Sequence, residues 1–505
     1  MSSATQTSTR RDVLGVSALR PDGVAKVSGS FEFSSDLHAE NMLWGATLRS
    51  PHPYARIVNI DLSEAYKILG VEAIITADDV PGKKTYGLIS SDQPVFASDF
   101  VRYVGEPVAA VAADHPETCR RALAAIKVQY EVLTPVTDAE IAILPTTEQI
   151  HPDGNLIRRQ QIKIGDQNLQ GEVVVEGIYE MGMQDQAFLG LEAALAIPDS
   201  GNNGIEMFVA TQWLHEDRKQ IAACLGFPDE NVRITLGGVG GAFGAREDIS
   251  LQVHCALLAL RTSRPIKMQY SREESFYGHV HRHPAKIYIK HHATRAGVIQ
   301  RIEAKMIFDG GAYASTSAAV LINGVTHIQG PYRCENATVD GYAVRTNNPP
   351  CGAMRGFGVV QACYAHESQM DKLAKACNLS PVEVRLMNAM VTGDKLITGQ
   401  VVESVAPVAR CIRETDAIPL PEKLSTNADT LELVGGSGLT SLPEIAPPID
   451  GSLLSSITQI SGFVITAKFG KLNCAKKDVA SSGTGTLTNK SCEIPHCVLP
   501  FVLMK

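Results

Sequence analysis

A dense run of glycines at residues 237–244 is the first feature of this sequence that could do chemistry. It follows a segment at residues 232–236 whose alternating apolar and polar residues predict a strand, and it precedes a segment from Ile249 onward that predicts a helix. Glycine removes the steric barrier to positive φ, so the backbone N–H groups of such a loop can approach an anion closely. The run matches neither the dinucleotide-binding pattern G-x-G-x-x-G nor the phosphate-binding pattern G-x-x-x-x-G-K-[ST]. It is typical of either a tight turn or an anion cradle.

A second loop, PPCGAMRGFG at residues 349–358, has the same design. Its two prolines end the preceding element, its glycines free the backbone, and the sequence predicts a helix starting near Val359. Arg355 stands between the glycines, where a guanidinium could offer two parallel donors to a phosphate or oxo group, and Phe357 could stack on a planar ring. The alternative is a surface arginine beside a core phenylalanine.

The elements that must position these loops mix strands and helices. From about residue 20 short β-like runs alternate with turns, and one helix is predicted from His115 to Ile126. A Pro-rich, acidic segment predicts a first domain boundary near residue 140. The second body continues to about residue 435, with helices predicted near His215, Ile249, Val359 and Pro381. The pattern indicates an α+β protein of more than one domain.

Composition narrows the class of function. The 505 residues carry a formal net charge of -8, with scattered basic residues, so nothing indicates binding to nucleic acid or to an anionic membrane. No stretch is apolar for the ~18 residues that a membrane span needs, and Arg10-Arg11 is not followed by the hydrophobic segment of a twin-arginine signal. We therefore expect a cytoplasmic protein that acts on a small molecule.

The eleven cysteines contain no C-x-x-C pair, which argues against the usual zinc and iron–sulfur spacings. Buried, reduced cysteines in a reducing compartment are the expectation. If the protein does redox chemistry, the electrons must leave through another chain.

Together with the segment FVATQ, which ends at Gln212, the two loops resemble the molybdenum hydroxylases, the family of xanthine dehydrogenase and aldehyde oxidase. Further matching segments run through the chain: RPDGVAKVSGSFEFSSDL, LRSPHPYARI, VRYVGEPVAAVAA, SREESFYGHVHRHP, DGGAYAS, GPYRCEN and LMNAMVTGD. The resemblance is collinear over residues 18–435 and is nearest to the molybdenum-binding large subunit of bacterial xanthine dehydrogenases. It implies an α/β hammerhead domain at 18–135 and the first part of a molybdopterin-binding α+β domain at 150–435. Residues 436–505 do not resemble the family and stay unassigned.

The resemblance also assigns roles in binding the molybdenum–molybdopterin cofactor. It implies that Gln212 hydrogen-bonds an oxo ligand of molybdenum and that Phe243 and Gly244, with Gly241, present the loop backbone to the same ligand sphere. Arg355 would contact the cofactor or the edge of the substrate. Three of these residues, Gln212, Phe243 and Arg355, are expected around the metal itself, so they should converge on one pocket.

For the substrate, the resemblance implies that Glu247 binds a purine nitrogen or oxygen and that Phe357 stacks on the flat ring. A carboxylate that merely favours a helix N-terminus is the alternative for Glu247. The loop departs from the family pattern at Ala242, Ala245 and Arg246, which we expect to narrow the approach of its backbone. The well-known eukaryotic purine enzymes of the family carry an arginine upstream of the segment GPY, and this sequence has none there. The resemblance therefore indicates the family more strongly than it indicates xanthine as the substrate.

The implied reaction is hydroxylation of xanthine or hypoxanthine at a ring carbon with water, the electrons passing to iron–sulfur (2Fe-2S) and FAD partner subunits. The alternatives are a hydroxylase for an aldehyde, nicotinate or another N-heterocycle, and an inactive remnant that at most binds a partner. The family's activating glutamate lies in the C-terminal part, and the segment after about Ser437 offers no match for it. The sequence therefore predicts an inactive chain as written, unless a carboxylate such as Glu444 or Glu493 serves instead.

Overall fold

The computed structural model describes Ser17, residues 19–199, Gly201 and residues 203–419, together with the backbone of four short strands beyond them. Arg10-Arg11, Glu444 and Glu493 lie outside the described residues. The helices of the described part are α1 Gly23–Ser28, α2 Pro116–Ala125, α3 Ala139–Ala142, α4 Leu214–Leu225, α5 Gln252–Thr262, α6 Arg272–Gly278, α7 Ser317–Thr326, α8 Val359–Ala376, α9 Pro381–Asn388 and α10 Val408–Asp416.

The strands fall into two large sheets and several small ones. Their bounds are β1 Leu43–Arg49, β2 Ala55–Asp61, β3 Val71–Ile75, β4 Thr85–Tyr86, β5 Gln93–Pro94, β6 Phe100–Val101, β7 Pro107–Ala113, β8 Lys127–Val132, β9 Leu156–Ile164, β10 Val173–Met181, β11 Ala193–Asp199, β12 Gly204–Val209, β13 Val232–Leu236, β14 Ile266–Gln269, β15 Ala285–Ala293, β16 Ile299–Gly311, β17 Asn336–Arg345, β18 Glu432–Gly436, β19 Ile457–Ile460, β20 Phe463–Thr466 and β21 Phe469–Asn473.

The larger sheet has seven strands in the order β13-β12-β11-β14-β1-β7-β3. Strand β7, PVAAVAA, is buried at every position because α5 packs on one face of this sheet and α2 on the other. A continuous run of small apolar residues is what a strand covered on both faces requires. The hydrophobic core under α5 contains Leu43 and Ile75 together with Ile205 and Met207, which follow them by more than 100 residues in the sequence.

This sheet crosses the boundary predicted near residue 140. Strand β1 pairs in parallel with β14, with Leu43 opposite Ile266, and antiparallel with β7. Strands from before and after residue 140 therefore share one sheet and one core. The domain limits 18–135 and 150–435 stay a prediction, and they do not coincide with separate hydrophobic cores.

The second large sheet has five strands in the order β10-β15-β16-β17-β9, with α7 and α8 packed against it. A smaller sheet, β6-β2-β8, lies in the N-terminal part. The α+β class predicted from the sequence is confirmed, as is a hammerhead domain followed by a molybdopterin-binding domain. None of the described helices combines the length and hydrophobicity of a membrane span.

The cysteines of the described part are all unpaired, and most are buried. Burial raises the pKa of Cys255 to about 12, so its thiol stays neutral at ordinary pH. These cysteines act as small apolar core residues, as the sequence predicts.

Candidate functional site

The glycine loop connects β13 to a single helical turn at Ala245–Glu247, and α5 begins only at Gln252, three residues later than the sequence predicts. Positive φ angles occur at Gly241, Phe243 and Gly244. Phe243 is the exceptional member, because a side chain at positive φ strains the backbone and persists only where the surroundings hold it. The loop is therefore a fixed and partly strained structure.

Arg246 holds this loop from beneath. Its side chain is almost fully buried, donates to the carbonyl of Gly241 at 2.9 Å, and forms an ion pair with Glu192 at 2.8 Å. Its guanidinium also donates to the Gly190 carbonyl and lies 4.3 Å from the centre of the Phe188 ring. We expected Arg246 to narrow the approach to the loop backbone, but its charge points inward and is used to brace the loop.

The second loop packs directly against the first. The backbone N–H of Arg355 donates to the carbonyl of Phe243 at 2.8 Å. At Gly244 an added Cβ would lie 2.6 Å from the carbonyl oxygen of Ala353, so only glycine permits this approach. Two further side chains hold the second loop: Gln186 donates to Ala353 and Arg282 donates to the carbonyl of Arg355. The two loops thus form one rigid unit.

Gln212 follows β12 and reaches the same place. Its backbone N–H donates to the carbonyl of Arg246 at 2.9 Å, and its side-chain Oε1 accepts from the backbone N–H of Gly244 at 3.0 Å. The backbone N–H of Gly244 can only donate, so the side-chain atom of Gln212 that it meets must be the amide oxygen. The amide nitrogen of Gln212, with two N–H donors, is therefore directed away from Gly244.

These contacts bring Gln212, the Phe243–Gly244 segment and Arg355 together, as the sequence predicts. The side chains of Gln212, Phe243 and Arg355 are all exposed in the described structure. The N–H of Gly244, which we expected to face the ligands of the metal, is already occupied by Gln212. Their roles in binding remain a prediction.

The two residues assigned to the substrate are placed differently. Phe357 is half-buried, has positive φ, and packs against the core of the five-stranded sheet. That packing gives Phe357 a place in the core, and its stacking on a substrate stays a prediction. Glu247 is half-buried at the end of the glycine loop, and burial raises the pKa of its carboxyl. A carboxyl group in this environment protonates more readily than one in water, so it can act as a donor or an acceptor.

Buried carboxylates surround the base of the loop. Burial raises the pKa of Asp248 to about 7, although the Ser315 hydroxyl donates to its carboxylate and opposes the shift. Burial likewise raises the pKa of Asp217, on α4, to about 7. Neither carboxyl belongs to the set predicted from the sequence. The contact between Asp248 and Ser315 joins segments 67 residues apart in the sequence.

The part of the site described here fits an anionic cofactor. It offers the exposed amide of Gln212, whose N–H donors are oriented by the hydrogen bond from Gly244. It also offers two loops packed so closely that only glycine fits at position 244, and the exposed guanidinium of Arg355. Backbone loops at positive φ and planar guanidinium groups are suited to oxo and phosphate groups. The described residues around Gln212 could therefore hold such a group from one side.

Comparisons with known proteins agree with this geometry. Residues 28–134 match the a/b hammerhead domain of aldehyde oxidase and xanthine dehydrogenase, and residues 150–389 match the molybdopterin cofactor-binding domain. The chain is 40% identical over 396 residues to the nicotinate dehydrogenase large molybdopterin subunit of Eubacterium barkeri, covering 78% of this chain and 93% of that subunit. It is 36% identical over 430 residues to a probable xanthine dehydrogenase subunit of Bacillus subtilis, covering 84% of this chain but 57% of that protein.

Among solved structures, the aldehyde oxidoreductase of Desulfovibrio gigas is similar, with a TM-score of 0.75 and 26% identity over 79% of this chain. The match covers 45% of the Desulfovibrio gigas enzyme, so this chain spans about half of that protein. The chain belongs to the molybdenum hydroxylase family. Its cofactor is the molybdenum–molybdopterin of that family.

Proposed function

We propose that this chain is the molybdenum-binding subunit of a hydroxylase that oxidises a ring carbon of an N-heterocycle. The observation that carries the proposal is the hydrogen bond from the Gly244 N–H to Oε1 of Gln212, which turns the donor end of the amide outward beside two packed loops. An amide held in this way is ready to bind an oxo group without first losing rotational freedom.

The residues of the chain have separate tasks in this proposal. Gln212 donates hydrogen bonds to the cofactor, and the loops around Phe243 and Arg355 exclude water from one side of it. Arg246 fixes the loop through its buried ion pair, so that the backbone does not relax when the cofactor binds. When bound, the molybdenum cofactor supplies two-electron oxidation, with water as the source of the inserted oxygen. Iron–sulfur and FAD subunits, which would accept the electrons, are the partners that we propose.

Xanthine or hypoxanthine is the substrate that we propose. Glu247 supports this choice, because a half-buried carboxyl with a raised pKa can hydrogen-bond either a ring nitrogen or a carbonyl of a purine. The similarity to the probable xanthine dehydrogenase subunit of Bacillus subtilis points the same way.

Nicotinate is the second candidate, for two reasons. The similarity to the nicotinate dehydrogenase subunit extends over 93% of that protein. The exposed guanidinium of Arg355 could pair with a pyridine carboxylate, whereas Arg246 could not, because it is buried against Glu192.

The test is substrate turnover by the assembled enzyme, with its partner subunits and a supply of molybdenum cofactor. It uses a version in which a C-terminal part of the family's type replaces residues 436–505, because the sequence predicts that the chain as written is inactive. We expect Glu247→Ala to lower kcat/KM for xanthine by about 10-fold or more, since an unpaired polar group costs ~1–3 kcal/mol, and to leave a simple aldehyde nearly unaffected. Arg355→Ala is the companion variant, and it should reduce nicotinate turnover selectively if nicotinate is the substrate. Equal losses on all three substrates in both variants would contradict a role in recognition.

The remnant hypothesis is tested on the chain with residues 436–505 unchanged, with the same partner subunits and cofactor supply. A purified chain that retains stoichiometric molybdenum and turns over any of these substrates is not a remnant. A folded chain that assembles with its partners but holds no molybdenum would contradict the proposed function.

A further inference from the structure

Three side chains meet below the two loops, outside the proposed cofactor site. Asp185, His279 and His281 are the one group of three potential metal ligands among the residues that the structure describes, with ligand atoms within 4.8 Å of one another. Oδ2 of Asp185 lies 3.4 Å from Nε2 of His279 and 3.3 Å from Nε2 of His281. All three side chains are at least 92% buried.

The polar atoms of this cluster are poorly satisfied by the protein alone. Oδ2 of Asp185 and both ring nitrogens of His281 have no hydrogen-bond partner, although His281 is 2% exposed. A buried polar group without a partner costs ~1–3 kcal/mol. Oδ2 of Asp185 and Nε2 of His281 face each other at 3.3 Å, so a ligand placed between them would satisfy both atoms.

The hydrogen bonds around the cluster turn its ligand atoms toward one another, and they leave Oδ2 of Asp185 and Nε2 of His281 without a partner. Nδ1 of His279 lies 2.9 Å from the carbonyl of Val280, which can only accept, so that nitrogen carries the ring proton. In the neutral imidazole of His279, Nε2 then carries a lone pair, and this nitrogen faces Oδ2 of Asp185. Oδ1 of Asp185 accepts from the backbone N–H of Ala187, which leaves Oδ2 for the interior. The hydroxyl of Ser275 also reaches Nε2 of His279, at 3.0 Å.

The spacing suits a particular metal. Around a tetrahedral Zn²⁺ with bonds of roughly 2.0–2.1 Å, neighbouring ligand atoms lie about 3.3–3.4 Å apart. The two distances from Asp185 have this length. Two imidazoles and one carboxylate are a ligand set that zinc accepts, with a fourth position left for water or for the Ser275 hydroxyl.

The backbone holds these ligands in place from two directions. Gln184 pairs with Arg282, which aligns the segment of Asp185 with that of His281. His281 in turn pairs with Cys351, at the start of the second loop. A metal ion here would therefore tie the segment below the glycine loop to the base of the second loop.

We propose that Asp185, His279 and His281 form a structural Zn²⁺ site that braces the two loops. This proposal does not rest on the function proposed above, because it needs neither the molybdenum cofactor nor a substrate. A structural metal contributes directly to the free energy of folding, so its removal should loosen the loops.

The test measures zinc in the untagged full chain, by elemental analysis after purification without added metal and by titration of Zn²⁺ against a chromogenic chelator. We expect about one zinc per chain, and at least a 10-fold lower affinity in His281→Ala. His283→Gln is the matched control, because His283 is equally buried two residues away but bonds Ser317 and lies outside the cluster. His281→Cys keeps a zinc ligand at the same position and should retain the metal if His281→Ala does not fold.

The outcomes separate this site from the cofactor site. Removing zinc from the folded wild-type chain with a chelator should lower its Tm by several degrees, and His281→Ala should show no such shift. A folded wild-type chain that binds no zinc, or equal zinc in wild type and His281→Ala, would overturn the proposal and leave a buried aspartate–histidine ion pair. The molybdenum content, measured in the same samples, separately tests the proposal that the chain binds the molybdenum cofactor.

Discussion

Substitution of Gly244 by alanine is the most direct test of the packing between the two loops. At φ +106 the new side chain strains the backbone, which costs roughly 1–3 kcal/mol. Its Cβ would also lie 2.6 Å from the carbonyl oxygen and 2.7 Å from the carbonyl carbon of Ala353, and forcing such contacts apart costs roughly 1–3 kcal/mol more. The expected loss in free energy of unfolding is therefore about 2–6 kcal/mol, a large part of the ~5–15 kcal/mol that a typical protein has.

Gly393→Ala is the matched control, because Gly393 has φ +96 and an added Cβ there meets nothing within 4 Å. The loss in free energy of unfolding of Gly393→Ala should therefore come from backbone strain alone. Urea denaturation followed by tryptophan fluorescence measures both variants, and Trp213, adjacent to Gln212 and 45% exposed, reports on the site itself. If Gly244→Ala is no less stable than Gly393→Ala and binds as much molybdenum, the close packing of the loops is not what holds the site.

Three further predictions concern residues around the loop. Gln212→Glu keeps the acceptor for the Gly244 N–H but removes the outward donors, so we expect unchanged urea midpoints with at least a 10-fold loss of molybdenum occupancy or turnover; unchanged occupancy and turnover would contradict the assigned role. Arg246→Met removes the buried charge partner of Glu192, whose pKa burial already raises to about 7, so at pH 8 the variant must either bury an unpaired carboxylate or bind a proton, at a cost of up to about 3–5 kcal/mol. The double variant with Glu192→Met should restore part of this loss, because the bonds from Arg246 to the carbonyls of Gly241 and Gly190 stay missing; no recovery would show that the charge pair is not the cause. Burial raises the pKa of Asp217 from 3.8 to about 7, so the folded chain keeps a proton that the unfolded chain releases, and stability falls as pH rises through that window. Asp217→Asn should therefore stabilise the protein more at pH 8 than at pH 5, and an equal effect at both pH values would refute this linkage.

The sequence predicted the parts of the site that local chemistry determines. Glycines and prolines mark the two loops, and the helices near Val359 and Pro381 begin where their signals stand. The second of these carries a capping box between Ser380 and Glu383. Helix α5 begins later than predicted because the segment Ala245–Glu247 forms a separate turn, set by Gly244 at positive φ.

The supporting contacts could not be predicted in the same way. Arg246 and Glu192 are 54 residues apart, and nothing in the local pattern distinguishes a buried, paired arginine from an exposed one. Asp185 meets His279 and His281 only because two distant segments pair at Gln184. The half-buried position of Phe357 also depends on the core beneath it, which its residue type alone does not reveal.

The shared seven-stranded sheet has a consequence for how the protein is made. Strand β1 needs a partner in β14, and Leu43 pairs with Ile266, so the N-terminal strands leave the ribosome long before their neighbour exists. At ~5–20 residues per second this delay lasts roughly ten to fifty seconds, during which the edge of β1 that pairs with β14 and the face that α5 covers stay exposed. Contacts of such long sequence separation also fold slowly, because loop closure must precede the pairing. The nascent chain is thus a natural client for chaperones, and an isolated N-terminal fragment ending near residue 135 should aggregate rather than fold.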